Sequence, residues 1–105
     1  FCSDLKSKGK FKDTMIMTFS EFGRRVDENA SMGTDHGTAN NVYLIGGGLK
    51  QGGMINDMAD LANLQDGDLI HQVDFRSVYS TLLNKWLNVD AQKILNGSYP
   101  MLDCL

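Results

Sequence analysis

Between Asp74 and Leu87 the apolar residues Phe75, Val78, Tyr79, Leu82, Leu83, Trp86 and Leu87 recur at intervals of three and four. That spacing gathers into one stripe on an α-helix and would scatter over both faces of a strand. Asp74 is a natural N-cap, and Val73 can staple onto Val78. The spacing therefore predicts a core helix over 75–87 with Trp86 as a packing anchor. A stripe this wide must be covered, so the rest of the chain is read for the elements that could cover it.

Two stretches have the composition of buried strands. Thr14 to Phe19 is apolar at Met15, Ile16, Met17 and Phe19 with little alternation, the pattern of a central strand covered on both faces, as in a parallel sheet. Asn41 to Ile45 is the second, ended by Gly46-Gly47-Gly48. Ser3 to Lys8 reads as the end of a helix, with Ser3 as cap and Gly9 at the C′ position. Lys50 to Asp68 reads as a long irregular segment with at most a helical turn around Asp57 to Ala62, and Leu69 to Val73 as a short strand. Asp90 is expected to cap a last short helix through Leu95, stopped by Asn96-Gly97, and Pro100 begins an extended tail. The expected class is α/β, with few strands, flanking helices and long loops, organised as a single domain or a fragment over 1–105.

Ten basic against thirteen acidic residues, net −3, leave no basic stripe and argue against nucleic acid as a partner. No apolar run approaches the roughly 20 residues of a membrane span, and no signal-peptide pattern is present. The first residue is Phe1 and not Met, the mark of a processed product or a fragment. Cys2 and Cys104 lie near opposite ends, where either a disulfide or two thiols is consistent with the spacing.

The residues with chemical capacity cluster between Ser20 and Gly37. Asp35-His36, between Gly33 and Gly37, could ligate one divalent ion if the backbone turns there; equally, Asp35 could bond its own backbone with His36 solvated. Glu21 directly follows the first strand and reads either as a metal-site carboxylate or as a surface partner of Arg24 or Arg25. Arg24 could clamp an anionic oxyester, since guanidinium matches phosphate or sulfate in a bidentate way. Arg25 is expected to face solvent, His71 to be structural, and Arg76 to pair with Asp74 or a nearby carboxylate. Gly46 to Gly53 lacks the Gly-Lys-Ser/Thr ending of a phosphate loop.

The ordered blocks SEFGRR, DENASMGTDHGTANNVYLIGGGLKQGG and DGDLIHQVDFRSVYSTLLNKWLNVD resemble the C-terminal part of the bacterial family catalogued as domain of unknown function 1501. That family in turn resembles the alkaline phosphatase and sulfatase superfamily of metallohydrolases, so the resemblance implies the C-terminal portion of an alkaline-phosphatase-like three-layer fold. It also implies an exported, periplasmic parent longer than this chain. In the superfamily a strand ends in an Asp-His metal pair, and a later loop supplies another His ligand. The register that respects local structure puts Glu21-Phe22 at the Asp-His position and His36 in the later role. Asp35-His36 cannot itself be the strand-end pair, because Glu28 to Met32 does not read as a strand.

The resemblance thus implies a parent that hydrolyses a small anionic phosphate or sulfate ester with a divalent metal ion (zinc, calcium, magnesium or manganese). Glu21, Asp35 and His36 would be metal groups and Arg24 the catalytic anion-stabilising residue. The nucleophile lies in the remainder of the parent chain, so this piece alone is expected to be inactive. The alternative is a non-catalytic binding or assembly module, and a homo-oligomer could form through a bare sheet edge.

Overall fold

Helix α1 (Cys2–Ser7) begins the chain, and the computed structural model describes all residues, 1–105. Phe1 sits at the N-cap without a side-chain cap bond, so Ser3 does not cap this helix as expected. Gly9 takes φ 66° and its N–H donates to the Lys6 carbonyl at 3.1 Å, the left-handed stop predicted for C′. A single 3-10 turn, Phe11–Asp13, leads into β1 (Met15–Met17).

Strands β2 (Gly23–Glu28), β3 (Thr34–Gly37), β4 (Leu44–Gly46), β5 (Leu64–Gln65) and β6 (Asp68–Leu69) follow. The helices α2 (Phe75–Thr81) and α3 (Ala91–Leu95) come last. The class is α/β in the coarse sense, helices mixed with small sheets. Every ladder is antiparallel and two-stranded: β1 with β4, β2 with β3, β5 with β6. The expected parallel central strand is not formed within this chain. Met15 faces Gly46 and Met17 faces Leu44, and the three residues of β1 are only half-buried.

The chain divides into two compact units, Phe1–Gly47 with Asp57–Gln72, and Gly48–Asn56 with Val73–Leu105. In the first unit Asn29 builds the β2–β3 loop. Its side-chain Oδ1 accepts from the Ser31 and Gly33 N–H groups, and its own N–H donates to the Gly33 carbonyl. Asp66 and Gly67, at φ 53° and 84°, turn β5 back into β6 as a two-residue hairpin. This hairpin replaces the end of the irregular segment expected over Lys50 to Asp68, and Asp-Gly between Leu64-Gln65 and Asp68-Leu69 is its sequence signature. No helical turn forms at Asp57 to Ala62. Asp60 instead accepts from the Ala62 N–H through its side chain, a local turn that competes with a helix. No hydrophobic side chain of this unit is buried; its one buried residue is Gly23.

The second unit holds the buried hydrophobic residues Val78, Ala91 and Cys104. Asp74 caps α2 by accepting from the Arg76 N–H at 2.9 Å. It also takes the Arg76 guanidinium, which raises the Arg76 pKa above its ordinary value, chiefly through that side-chain hydrogen bond. Helix α2 continues as a π-helical turn over Leu82–Trp86, so the predicted span is helical but changes its winding at Leu82. The buried face is not the apolar stripe alone, since Ser77, Ser80 and Thr81 are buried while Phe75 and Leu87 are exposed. The reason is the C-terminal tail, whose backbone packs on the small polar residues. Thr81 Oγ1 donates to the Ser77 carbonyl at 2.7 Å and accepts from the Leu102 N–H at 2.8 Å, and Ser80 donates to the Tyr99 carbonyl. Trp86 lies against Gly48, where a Cβ would come within 2.3 Å of its ring. Asp90 and Asn96 start and stop α3 as expected, Asn96 in the left-handed region at φ 51°. Cys2 and Cys104 are free thiols.

Candidate functional site

The chain leaves β1 and makes a bend at Ser20-Glu21-Phe22 before β2. Phe22 supplies the anchor of this bend: its carbonyl accepts from Ser20 Oγ at 2.8 Å and from Asn40 Nδ2 at 3.0 Å. Asn40 Oδ1 accepts in turn from the Asn41 N–H. The next residue, Gly23, packs so tightly on the segment after β3 that a Cβ there would stand 1.6 Å from the Ala39 carbonyl oxygen. Only glycine fits this contact. The strand-end bend and the 38–41 segment thereby enclose a cleft of about 320 Å³, lined in part by Phe22, Arg24, Asn40, Asn41 and Leu69.

Asp35 and His36 lie inside β3 and not in a turn, which corrects the loop expected there. Successive strand residues face opposite ways, so the two side chains diverge and cannot act as an adjacent chelating pair on one face. His36 is paired across the ladder with Arg24, and cross-strand partners share a face. The Phe22 ring stacks on the His36 ring with centroids 3.5 Å apart and planes 14° from parallel. The Arg24 guanidinium carbon sits 5.3 Å from the Phe22 centroid, and its Nη1 donates to the Thr34 carbonyl at 2.7 Å. Asp35, on the other face, accepts from Asn29 Nδ2 at 2.9 Å. Arg25, expected in solvent, is half-buried and donates to Asp68 at 3.4 Å. This pair ties the β5–β6 hairpin to β2, and Thr38 reinforces it by donating to the Leu69 carbonyl. The second Asp68 oxygen is buried without a partner.

A family model for proteins of unknown function, DUF1501, matches residues 1–97. This chain belongs to the DUF1501 family. Comparison with curated proteins and with solved structures gives no match. Within this DUF1501 chain the structure brings together Phe22, Arg24 and His36, two of them residues singled out for chemistry and the third the aromatic residue that joins them. It leaves Glu21 exposed in the bend and turns Asp35 away. No group of three or more His, Cys, Asp or Glu side chains that could hold a metal ion is assembled. Sequence reasoning missed Ser20, Asn40, Asn41 and Leu69 as parts of the cleft. The Asn40-Asn41 pair was the available signal for two of them, because such side chains bond local backbone where a chain turns.

Proposed function

We propose that this chain is the C-terminal part of an exported, periplasmic hydrolase of phosphate or sulfate esters, in which it recognises the anionic group and does not turn over substrate by itself. The observation that carries the reading is Arg24: it is the only charged side chain lining the cleft, and its position is set by Thr34 and Phe22. A guanidinium held in place before the ligand arrives is suited to a tetrahedral oxyanion, because its planar donors meet two oxygens at once. Stabilising charge that develops on the ester oxygens would be its contribution to catalysis.

The resemblance to the alkaline phosphatase and sulfatase superfamily implies a divalent ion, zinc, calcium, magnesium or manganese, for such a parent. The donors of this chain do not fit one: Asp35 and His36 face apart, Glu21 stands alone in its bend, and no three donors converge. Further ligands and the nucleophile are assigned to the remainder of the parent chain.

The test uses the full-length protein with aryl phosphate and aryl sulfate monoesters. Turnover that falls by roughly 10²–10³-fold in Arg24→Ala is the expected result. No turnover of either ester, or turnover indifferent to Arg24, would sink the hydrolase reading. A second reading, a non-catalytic binding or assembly module, is favoured by the Phe22–His36 stack, which puts an apolar ring where the superfamily has a ligand. The unpaired outer edges of β1 and β4 would suit self-association under that reading. A parent that binds phosphate or sulfate without hydrolysing any monoester would decide for it.

A further inference from the structure

We infer that His36 is an anion-binding partner of Arg24 and not a metal ligand, the two side chains forming one seat for a phosphate or sulfate group beside Phe22. The inference rests on the hydrolase reading only for the anion being part of an ester; the seat itself is argued from the ladder.

Three observations carry it. First, Arg24 and His36 are direct partners across β2 and β3, so their side chains leave the sheet on the same face within reach of one small ligand. Second, Phe22 touches both, stacking on the imidazole and lying under the guanidinium, which holds the two donor groups in fixed relation. Third, the carboxylates nearest His36 do not converge on it, and no group of three metal donors is assembled. Asp35 is on the opposite face with Asn29, and Asp68 is paired with Arg25. Glu21 stands exposed in the preceding bend, and Glu28, the partner of Thr34, shares the face of His36 but lies at the far end of the ladder, beyond the irregularity in β2.

A divalent ion on His36 would have a permanent cation as its nearest cross-strand neighbour. An oxyanion there meets attraction from Arg24 and a ring N–H donor from His36. One N–H of the guanidinium is spent on the Thr34 carbonyl, and a guanidinium has five, so the rest remain for the ligand. The same arrangement accounts for phenylalanine at position 22. A second imidazole would recruit metal, whereas an apolar ring packs on the first one and offers a metal no ligand.

The experiment titrates the full-length protein with inorganic phosphate and, separately, inorganic sulfate by calorimetry, and measures bound divalent metal per protein in the same samples. Arg24→Ala and His36→Phe are each expected to weaken anion binding by roughly tenfold or more, the range for a hydrogen bond to a charged group. His36→Gln, which keeps a donor, should lose less. Metal content should be unchanged in all three. Unchanged anion affinity in His36→Phe, absence of anion binding by the wild type, or metal lost from both His36 variants would each overturn the inference. If His36→Phe fails to fold by thermal melting, His36→Gln decides: weakened anion binding with metal retained supports the seat, and lost metal overturns it. Anion binding that behaves as expected in a protein that hydrolyses no ester removes the hydrolase reading and leaves the seat standing. Ester turnover with His36 required only for metal does the reverse.

Discussion

The two units of this chain solve the same problem, fixing backbone in place, by different means. The second unit buries side chains: Val78, Ala91 and Cys104 lie inside, and Thr81, fully buried, bonds its own helix and the tail at once. The first unit buries no hydrophobic side chain and is held by backbone proximity and polar links. Gly23 lies on Ala39, Asn29 organises its loop, and Arg25 reaches Asp68 in the distant hairpin. Packing is non-directional and contributes stability, roughly 25 cal/mol per Å² of apolar surface buried. Polar links are directional, contribute about 1 kcal/mol net each, and specify geometry. The unit with the candidate anion seat is the one built on geometry.

The sharpest way to break this contrast is Gly23→Ala. Its Cβ would overlap a backbone carbonyl that cannot rotate away, so about 3 kcal/mol or more of destabilisation is expected. Hydrogen-exchange protection of β2 and β3 should fall and that of α2 should not. Equal loss in both units would show that they are not distinct in kind. In Gly48→Ala the new methyl meets the edge of the Trp86 ring, a side chain able to shift, and the cost should be smaller.

Thr81→Val tests the fully buried polar link of the second unit. The shape is kept, but the Leu102 N–H loses its acceptor, which predicts about 1–3 kcal/mol by denaturant unfolding. An effect near zero would mean that packing alone secures the tail.

The smallest effect is expected at Asp103, whose carboxyl is held below its ordinary pKa by the hydrogen bond from Lys50 and by that cation's charge. A carboxylate depressed in the folded state contributes stability that is fully present above the unfolded pKa, about 3.9 for Asp, and is lost as pH falls through the lower folded value. Asp103→Asn should therefore remove a slight acid-side slope below about pH 4 and leave neutral stability nearly unchanged, both ends of the pair being exposed. A change at pH 7 comparable to that of Thr81→Val would contradict this ranking.

What could be read without the structure was local. Asp74 and Asp90 cap helices because a carboxylate reaches the N–H two residues on, Asn96 and Gly9 stop them because they accept a positive φ, and the three-four spacing marks a helix. The Asp66-Gly67 hairpin is equally local, an Asp-Gly turn that accepts positive φ at both positions. The order of motifs also sufficed to place the chain in its family, over residues 1–97.

What the tertiary structure decided was which faces meet. The apolar run Met15 to Met17 could equally have been a covered central strand; pairing with Leu44–Gly46 made it one side of an antiparallel ladder. The buried serines and threonine of α2 follow from a tail some twenty residues downstream, which no period within the helix encodes. Asp35 and His36 are neighbours in sequence, and their adjacency suggested one site. Strand geometry separates them, and the register of β2 against β3 gives His36 to Arg24. A local signal acts over one turn or one cap, whereas register is the joint choice of two segments, and a shift of one residue would have exchanged the faces.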